Sequence, residues 1–173
     1  MVSREDAIYG GYFPEYYHPT DQYLFSESIG TSPLGLLEQQ VYPIKWSRLK
    51  DLNQYRLGVV RGYVNTIALD EMIASGIQEV EAVSSDQQNI RKVATGRIQV
   101  AVIDKYVYQY FVEQPHLLEL KKKLQINKQL LESKRLYIAF KNTAEGRKWR
   151  EIFNQGLGLI DKEQIIEEYL SSR

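Results

Sequence analysis

Asp104 closes the continuous apolar run Val100-Ala101-Val102-Ile103. A carboxylate held at the end of a buried strand can pair with a cationic group such as an ammonium. Asp is also among the best helix N-caps, and residues 105–113 form the next candidate helix. The two roles are compatible. A second segment able to do chemistry is Arg61-Gly62-Tyr63-Val64-Asn65-Thr66. Gly62 has no side chain and allows close backbone approach. A helix that starts just after it presents unpaired N–H groups and a partial positive charge, which suits a carboxylate or another anion. A plain turn between a strand and a capped helix would use the same residue types.

Other chemistry is hard to build from this chain. The two histidines, His18 and His116, lack metal-ligand spacing. There are no cysteines, which excludes disulfides, a thiol nucleophile and Cys-ligated zinc. Gly156 and Gly158 follow a helical stretch instead of opening one, so they do not make a phosphate loop. No serine lies in a nucleophile-elbow context, and no Walker loop is present. The expectation is a non-enzymatic protein with no metal and no cofactor.

The elements that must position these residues are legible in residues 56–113. Residues 57–60 are a short apolar run, as in a strand buried on both faces. Asn65 or Thr66 can cap a helix that carries Ile67, Leu69, Met72 and Ile73 and ends at Gly76. Residues 77–83 read as a second strand. Ser84 or Ser85 can cap a helix with Ile90 and Val93 on its inner face, which Gly96 stops. Residues 100–103 are the third strand. Tyr106, Val107, Tyr110 and Phe111 share one face of the helix after it. Strands alternating with helices at this spacing predict crossover connections and a parallel sheet. In such sheets ligands gather beyond the carboxyl ends of the strands, where Gly62 and Asp104 fall.

Outside this unit the pattern is sparser. A short strand is expected around residues 6–9, then a loop rich in Gly, Pro and Tyr. Residues 34–40 read as extended. Residues 117–134 fit either a helix or a strand and turn. Residues 136–140 read as a strand. Thr143 can cap a helix with Trp149, Ile152, Phe153 and Leu157 on one stripe. Asp161 and Gln164 resemble a capping box that starts a last helix bearing Ile165, Ile166, Tyr169 and Leu170.

The chain has 173 residues, 43% hydrophobic and 25% charged, enough for a sizeable core and against long disorder. Lys plus Arg equals Asp plus Glu at 22 each, and zero net charge argues against a dedicated nucleic-acid binder. No run of 18 apolar residues is present, and residues 1–13 do not read as a signal peptide. Tyrosine is in excess, with 13 Tyr against 5 Phe. Tyr12, Tyr16 and Tyr17 cluster in the early loop and could wall an apolar part of a ligand. They could equally pack the loop on itself.

Several segments in order resemble the amino-acid type of bacterial extracellular solute-binding proteins (family three), which serve ABC uptake systems. Asp51-Leu52 and then Arg56-Leu57-Gly58-Val59-Val60-Arg61-Gly62-Tyr63 are similar to the start of that family's second lobe. Ala94-Thr95-Gly96-Arg97-Ile98-Gln99-Val100-Ala101-Val102-Ile103-Asp104 resembles its segment ending on a ligand-gripping Asp. Leu136-Tyr137-Ile138-Ala139-Phe140 resembles the return strand, and Phe153-Asn154-Gln155-Gly156-Leu157 a helix after it. Asp6-Ala7-Ile8 and Phe25-Ser26 resemble first-lobe segments.

The resemblance implies an α/β fold, periplasmic-binding-protein-like, with a parallel-type sheet and flanking helices in two lobes. Residues 1–40 would be a partial first lobe, 41–130 the second lobe, and 131–173 the return strand and C-terminal helices of the first. The crossings would lie near residues 36–42 and 131–137. It implies a periplasmic protein that binds a small polar solute, amino-acid-like, and docks on a membrane permease. Asp104 would take an ammonium; Arg61, Gly62, Tyr63, Asn65 and Thr66 would frame an anionic end. A sensory input domain of the same fold and a ligand-incompetent, self-associating remnant are the alternatives.

The chain departs from the family in three places. Val64 stands where a hydroxyl is common, Gln99 replaces an Asp, and no arginine lies between Arg4 and Arg48 to clamp a carboxylate in two-pronged fashion. The family's opening first-lobe elements have no counterpart before Ser3. The expectation is that uncovered faces bearing Phe153/Leu157 and Ile165/Tyr169 bring copies together as a homo-oligomer.

Overall fold

The structure, a computed structural model, describes residues 9–12 and 21–171, with side chains from 21 to 169. The chain divides into two compact units, one of residues 1–31 and 134–173 and one of residues 32–133. The division falls at 31/32 and 133/134, against the expected boundaries at 40 and 130.

The unit of residues 32–133 is built on a mixed sheet. Its strands are β3 (Gly30–Gln39, entering from the other unit), β4 (Leu57–Val60), β5 (Val80–Val83), β6 (Val100–Asp104) and β7 (Leu124–Ile126). The order runs β3-β6-β4-β5, with β7 on the other side of β3. β4 pairs parallel with both β5 and β6. β3 pairs antiparallel with β6, Leu36 opposite Val102, and with β7, Leu37 opposite Ile126. The parallel part predicted from sequence is therefore three strands wide, and antiparallel strands extend it.

Both faces of this sheet are covered, which explains the unbroken apolar runs. α1 (Ile67–Ala74) and a short 3-10 helix at Leu49–Gln54 lie on one face. There Leu36, Leu57, Val59, Val100 and Val102 pack with Leu52 and Leu69. α2 (Asp86–Ala94) and α3 (Lys105–Val112) lie on the other, where Leu37, Ala101 and Ile103 pack with Ile90, Val93 and Val112. Gly58 permits the close approach of α2. A Cβ there would stand 2.5 Å from Ile98 Cδ1 and 2.6 Å from Asn89 Oδ1. Both neighbours are fully buried, so neither can easily yield.

Two local expectations are corrected. The strand expected over 77–83 begins only at Val80, because the Gln78 N–H still donates to Met72 O of α1 at 3.0 Å and keeps the chain wrapped on the helix end. The ambiguous segment after residue 117 becomes a 3-10 helix, Leu118–Lys122, followed by β7.

One buried charge holds the turn after β3. Glu38 is 1% exposed. Its carboxylate accepts from Ile44 N (2.9 Å), Gln125 Nε2 (2.8 Å) and Asn127 Nδ2 (2.8 Å). Three donors to one buried acceptor is the arrangement that makes such a group tolerable.

In the other unit, β8 (Glu132–Lys141) is flanked by β1 (Tyr9–Tyr12) and β2 (Tyr23–Phe25), both antiparallel to it. β1 lies just beyond the strand expected at 6–9, of which residues 6–8 are outside the described residues. α4 (Ala144–Leu157) starts on Thr143, whose Oγ1 accepts from Gly146 N at 3.0 Å. α5 (Lys162–Ser171) starts after Asp161, whose carboxylate accepts from Gln164 N at 3.0 Å. Phe153 turns inward, its ring 5.8 Å from that of Phe140. It is thus part of the packing against β8 and not of an uncovered face, whereas Trp149 and Ile152 of the expected stripe are exposed. Exposed large apolar side chains there are Ile165 and Tyr169 of α5, Trp149 and Ile152 of α4, and Leu159 and Ile160 between the two helices.

Candidate functional site

The carboxyl ends of the parallel strands meet the start of all three helices of the unit of residues 32–133. β4 leads to α1, β5 to α2 and β6 to α3. Each helix start leaves backbone N–H groups that need acceptors, and buried polar side chains gather accordingly. Ser32, Asn65, Thr66 and Asp86 are all under 10% exposed.

Asp104 is the N-cap of α3. Its Oδ1 accepts from Tyr106 N (2.7 Å) and Val107 N (3.0 Å). Its Oδ2 accepts a short hydrogen bond from Ser32 Oγ. A carboxylate offers about four acceptor positions, so three bonds leave room for another donor. Among the described residues the ion pairs are Arg48–Asp51, Lys92–Glu81 and Lys121–Glu113, and none involves Asp104. The cap role and an open acceptor position coexist in one side chain.

The Arg61–Thr66 segment is a tight turn followed by a cap. Arg61 N donates to Val83 O at 2.8 Å and extends the β4–β5 pairing. Tyr63 N donates to Val60 O at 3.1 Å, and Gly62 has φ +79°. That is the left-handed third position of a type II turn, where glycine is favoured. Thr66 Oγ1 accepts from Leu69 N at 3.1 Å and caps α1. Asn65 is tied to Asp70 instead: its N–H donates to Oδ2 at 2.9 Å and its Nδ2 to Oδ1 at 2.6 Å. Arg61, Gly62, Tyr63 and Val64 are exposed.

Asp86, in the first turn of α2, was not among the residues that the sequence singled out. It is 6% exposed. Burial pushes its carboxyl above the ordinary Asp value, and the Asp104 charge adds to the rise; hydrogen bonds from the backbone and from the Tyr63 hydroxyl oppose it. Partial burial of the hydroxyl and the Asp86 charge raise the Tyr63 phenol in turn, although the residue as a whole is 61% exposed. The sequence signal for Asp86 was an acidic residue just after Ser84-Ser85. Neither serine caps α2 by a side-chain bond to it; Ser84 Oγ accepts from Gln88 Nε2 at 2.8 Å. Asp104, Tyr63 and Asp86 thus form one acidic corner at the carboxyl edge of the sheet.

Of the expected aromatic wall, Tyr16 and Tyr17 lie outside the described residues. Tyr12 contributes its backbone to β1, opposite Tyr137. Among the described residues no group of three His, Cys, Asp or Glu side chains is placed to hold a metal ion, and no helix is long and apolar enough to cross a membrane.

No protein-family model matches the chain, and no curated protein matches it either. Solved structures do. A mutant of ArgBP from T. maritima has 18% sequence identity and a TM-score of 0.63, with 88% of this chain and 63% of that chain covered. The second substrate binding domain of a putative amino acid ABC transporter from Streptococcus pneumoniae has 22% identity and a TM-score of 0.61, covering 86% and 66%. A histidine kinase sensor domain with similarity to periplasmic binding proteins has 14% identity and a TM-score of 0.64, covering 95% and 68%. The chain spans about two thirds of the length of these neighbours. The fold is therefore periplasmic-binding-protein-like: α/β, with an open sheet and flanking helices. At these identities the likeness is one of fold.

Proposed function

We propose that the protein reversibly captures a small polar solute that carries a cationic group, without covalent chemistry. The observation that carries this is Asp104. It sits at the carboxyl end of a parallel strand, is oriented by Ser32 and two helix N–H groups, and has no cationic partner among the described residues. Ligand sites in open α/β sheets fall at this edge. Asp86 adds a second carboxylate to the corner, which favours an ammonium or guanidinium over a neutral group. The Gly62 turn and the start of α1 face an anionic end of the solute. Asn65 supports that turn through Asp70 instead of reaching the solute.

An amino-acid-like solute, delivered to a membrane permease of an ABC-type uptake system in the periplasm, is the reading that the resemblance of the sequence favours. The neighbouring transporter domain supports it. The sensor-domain neighbour supports the same capture in a signalling role.

A thermal-shift screen of the chain against amino acids, polyamines, small carboxylates and sugars tests the proposal. A solute at ~100 times its Kd adds about 2.7 kcal/mol and raises the melting temperature. Asp104→Asn is the informative variant, because Asn is as good an N-cap as Asp but carries no charge. Loss of the response in a variant that still unfolds cooperatively is expected. An Asp104→Asn protein that binds as tightly as wild type overturns the site.

A further inference from the structure

The amino edge of the same sheet carries the opposite charge. Arg91 and Lys92 lie in the last turn of α2, Arg97 follows its end and Arg56 precedes β4. The approach of Arg97 is built by the backbone. Gly96, at φ +70°, turns the chain back. Gly96 N then donates to Val93 O at 3.0 Å and Arg97 N to Lys92 O at 2.9 Å. This is the bond pattern of a Schellman helix end. Thr95 Oγ1 closes the turn further on Arg91 O at 2.9 Å. The result is a shallow, open hollow on the outer face of α2, lined by Gln88, Arg91, Lys92, Thr95 and Arg97.

One carboxylate faces this group. Glu81 of β5 holds Lys92 at 2.7 Å and feels Arg56 and Arg97 as well. Arg91 and Arg97 are exposed, and neither forms an ion pair among the described residues. With Glu79, which precedes β5 as Arg56 precedes β4, four cations stand against two anions, a local excess in a chain whose net charge is zero. The macrodipole accounts for cations in the last turn of α2. It extends to Arg97 at the Schellman end, but not to Arg56, which comes from another segment.

We propose that this hollow is a second binding site, for a phosphate-bearing anion. A guanidinium fork matches phosphate oxygens two at a time. Two such forks and a lysine around one hollow exceed what a single carboxylate can satisfy. A phosphate carries about two charges and three acceptor oxygens. The Gln88 amide and the aliphatic stems of the cations complete the walls. The site shares no residue with the Asp104 corner, so either can be occupied alone.

The same chemistry is found in a free polyphosphate and in a phospholipid headgroup, and the test separates them. The intact chain is titrated with inorganic pyrophosphate, at constant ionic strength, and followed by calorimetry. It is also mixed with phosphatidylcholine vesicles with and without phosphatidylglycerol and sedimented. Saturable binding of pyrophosphate, weakened about tenfold or more in Arg91→Ser/Arg97→Ser (1.4 kcal/mol) and unchanged in Asp104→Asn, identifies a soluble phosphate ligand. Sedimentation only with phosphatidylglycerol, lost in the same double variant, identifies the headgroup. Both substituted arginines are exposed, so cooperative unfolding of the variant is expected and is checked by circular dichroism. The proposal is overturned if neither probe binds, if the double variant binds as wild type does, or if sodium chloride matches the effect of pyrophosphate at equal ionic strength.

Discussion

The two edges of one short parallel sheet carry opposite chemistry. At the carboxyl edge Asp86, Asn65 and Thr66 are nearly buried, with Asp104 beside them, and Thr66 and Asp104 accept from backbone N–H groups. At the amino edge Arg56, Arg91 and Arg97 reach into solvent. Helix polarity explains much of this. A helix start needs acceptors and favours negative charge, and a helix end favours cations. The lesson is that charge placement alone marks neither edge as a ligand site. What distinguishes the carboxyl edge is acceptor capacity left after capping, and what distinguishes the amino edge is exposed arginines, Arg91 and Arg97, that form no ion pair among the described residues.

Substitutions can pull the two edges apart. Gly58→Ala acts on both, because α2 reaches from one edge to the other and packs over Gly58. The new methyl group would meet Ile98 and Asn89 inside 2.7 Å. A stability loss of about 1–3 kcal/mol is expected from such overpacking, measured by urea unfolding. A variant as stable as wild type would show that α2 is not held as described.

Asp104→Ala should cost about 1–2 kcal/mol, because it removes the acceptor of two helix N–H groups. Asp104→Asn should cost a few tenths at most. Equal losses would mean that the charge, not the cap, stabilises the fold. Gly62→Ala forces an L side chain into the left-handed region at φ +79°, a cost of about 1 kcal/mol. Open space around Gly62 confines that cost to the backbone.

The pH dependence has opposite signs at two aspartates. The Asp86 carboxyl is raised from 3.8, so its contribution to stability is full below 3.8 and is lost as pH rises through the raised value. Asp86→Asn should therefore gain on wild type from acid to neutral pH, while weakening capture of a cationic solute. Asp51 is lowered from 3.8 to about 2 by hydrogen bonds from Ser47 and Arg48. Its contribution is present above 3.8 and is lost as pH falls through about 2. Paired acid and neutral melts of wild type, Asp86→Asn and Asp51→Asn resolve the two signs. An Asp86→Asn protein that gains nothing would show that Asp86 is not held in a desolvated corner. The smallest effect is at the other edge: Arg97→Ser should change stability by less than about 0.5 kcal/mol.

Local sequence determined the elements between residues 56 and 113. Four-residue apolar runs marked β4 and β6, Thr66 and Asp104 marked helix starts, and Gly76 and Gly96 marked helix ends. Each is a signal carried within a few residues, where backbone preference and capping act. Asp104 and the Gly62 turn were visible for the same reason. Only the tertiary structure decided which polar groups meet. Asp86 acquires its raised carboxyl from burial on folding and from the Asp104 charge brought beside it, against a hydrogen bond from Tyr63. Arg97 and Arg56 gather around Glu81 because β4, β5 and β6 are neighbours. Glu38 is tolerable in the core only because Gln125 and Asn127, nearly ninety positions away, return to it. Burial and charge are sums over neighbours that the chain brings together only on folding, and no stretch of a few residues contains them.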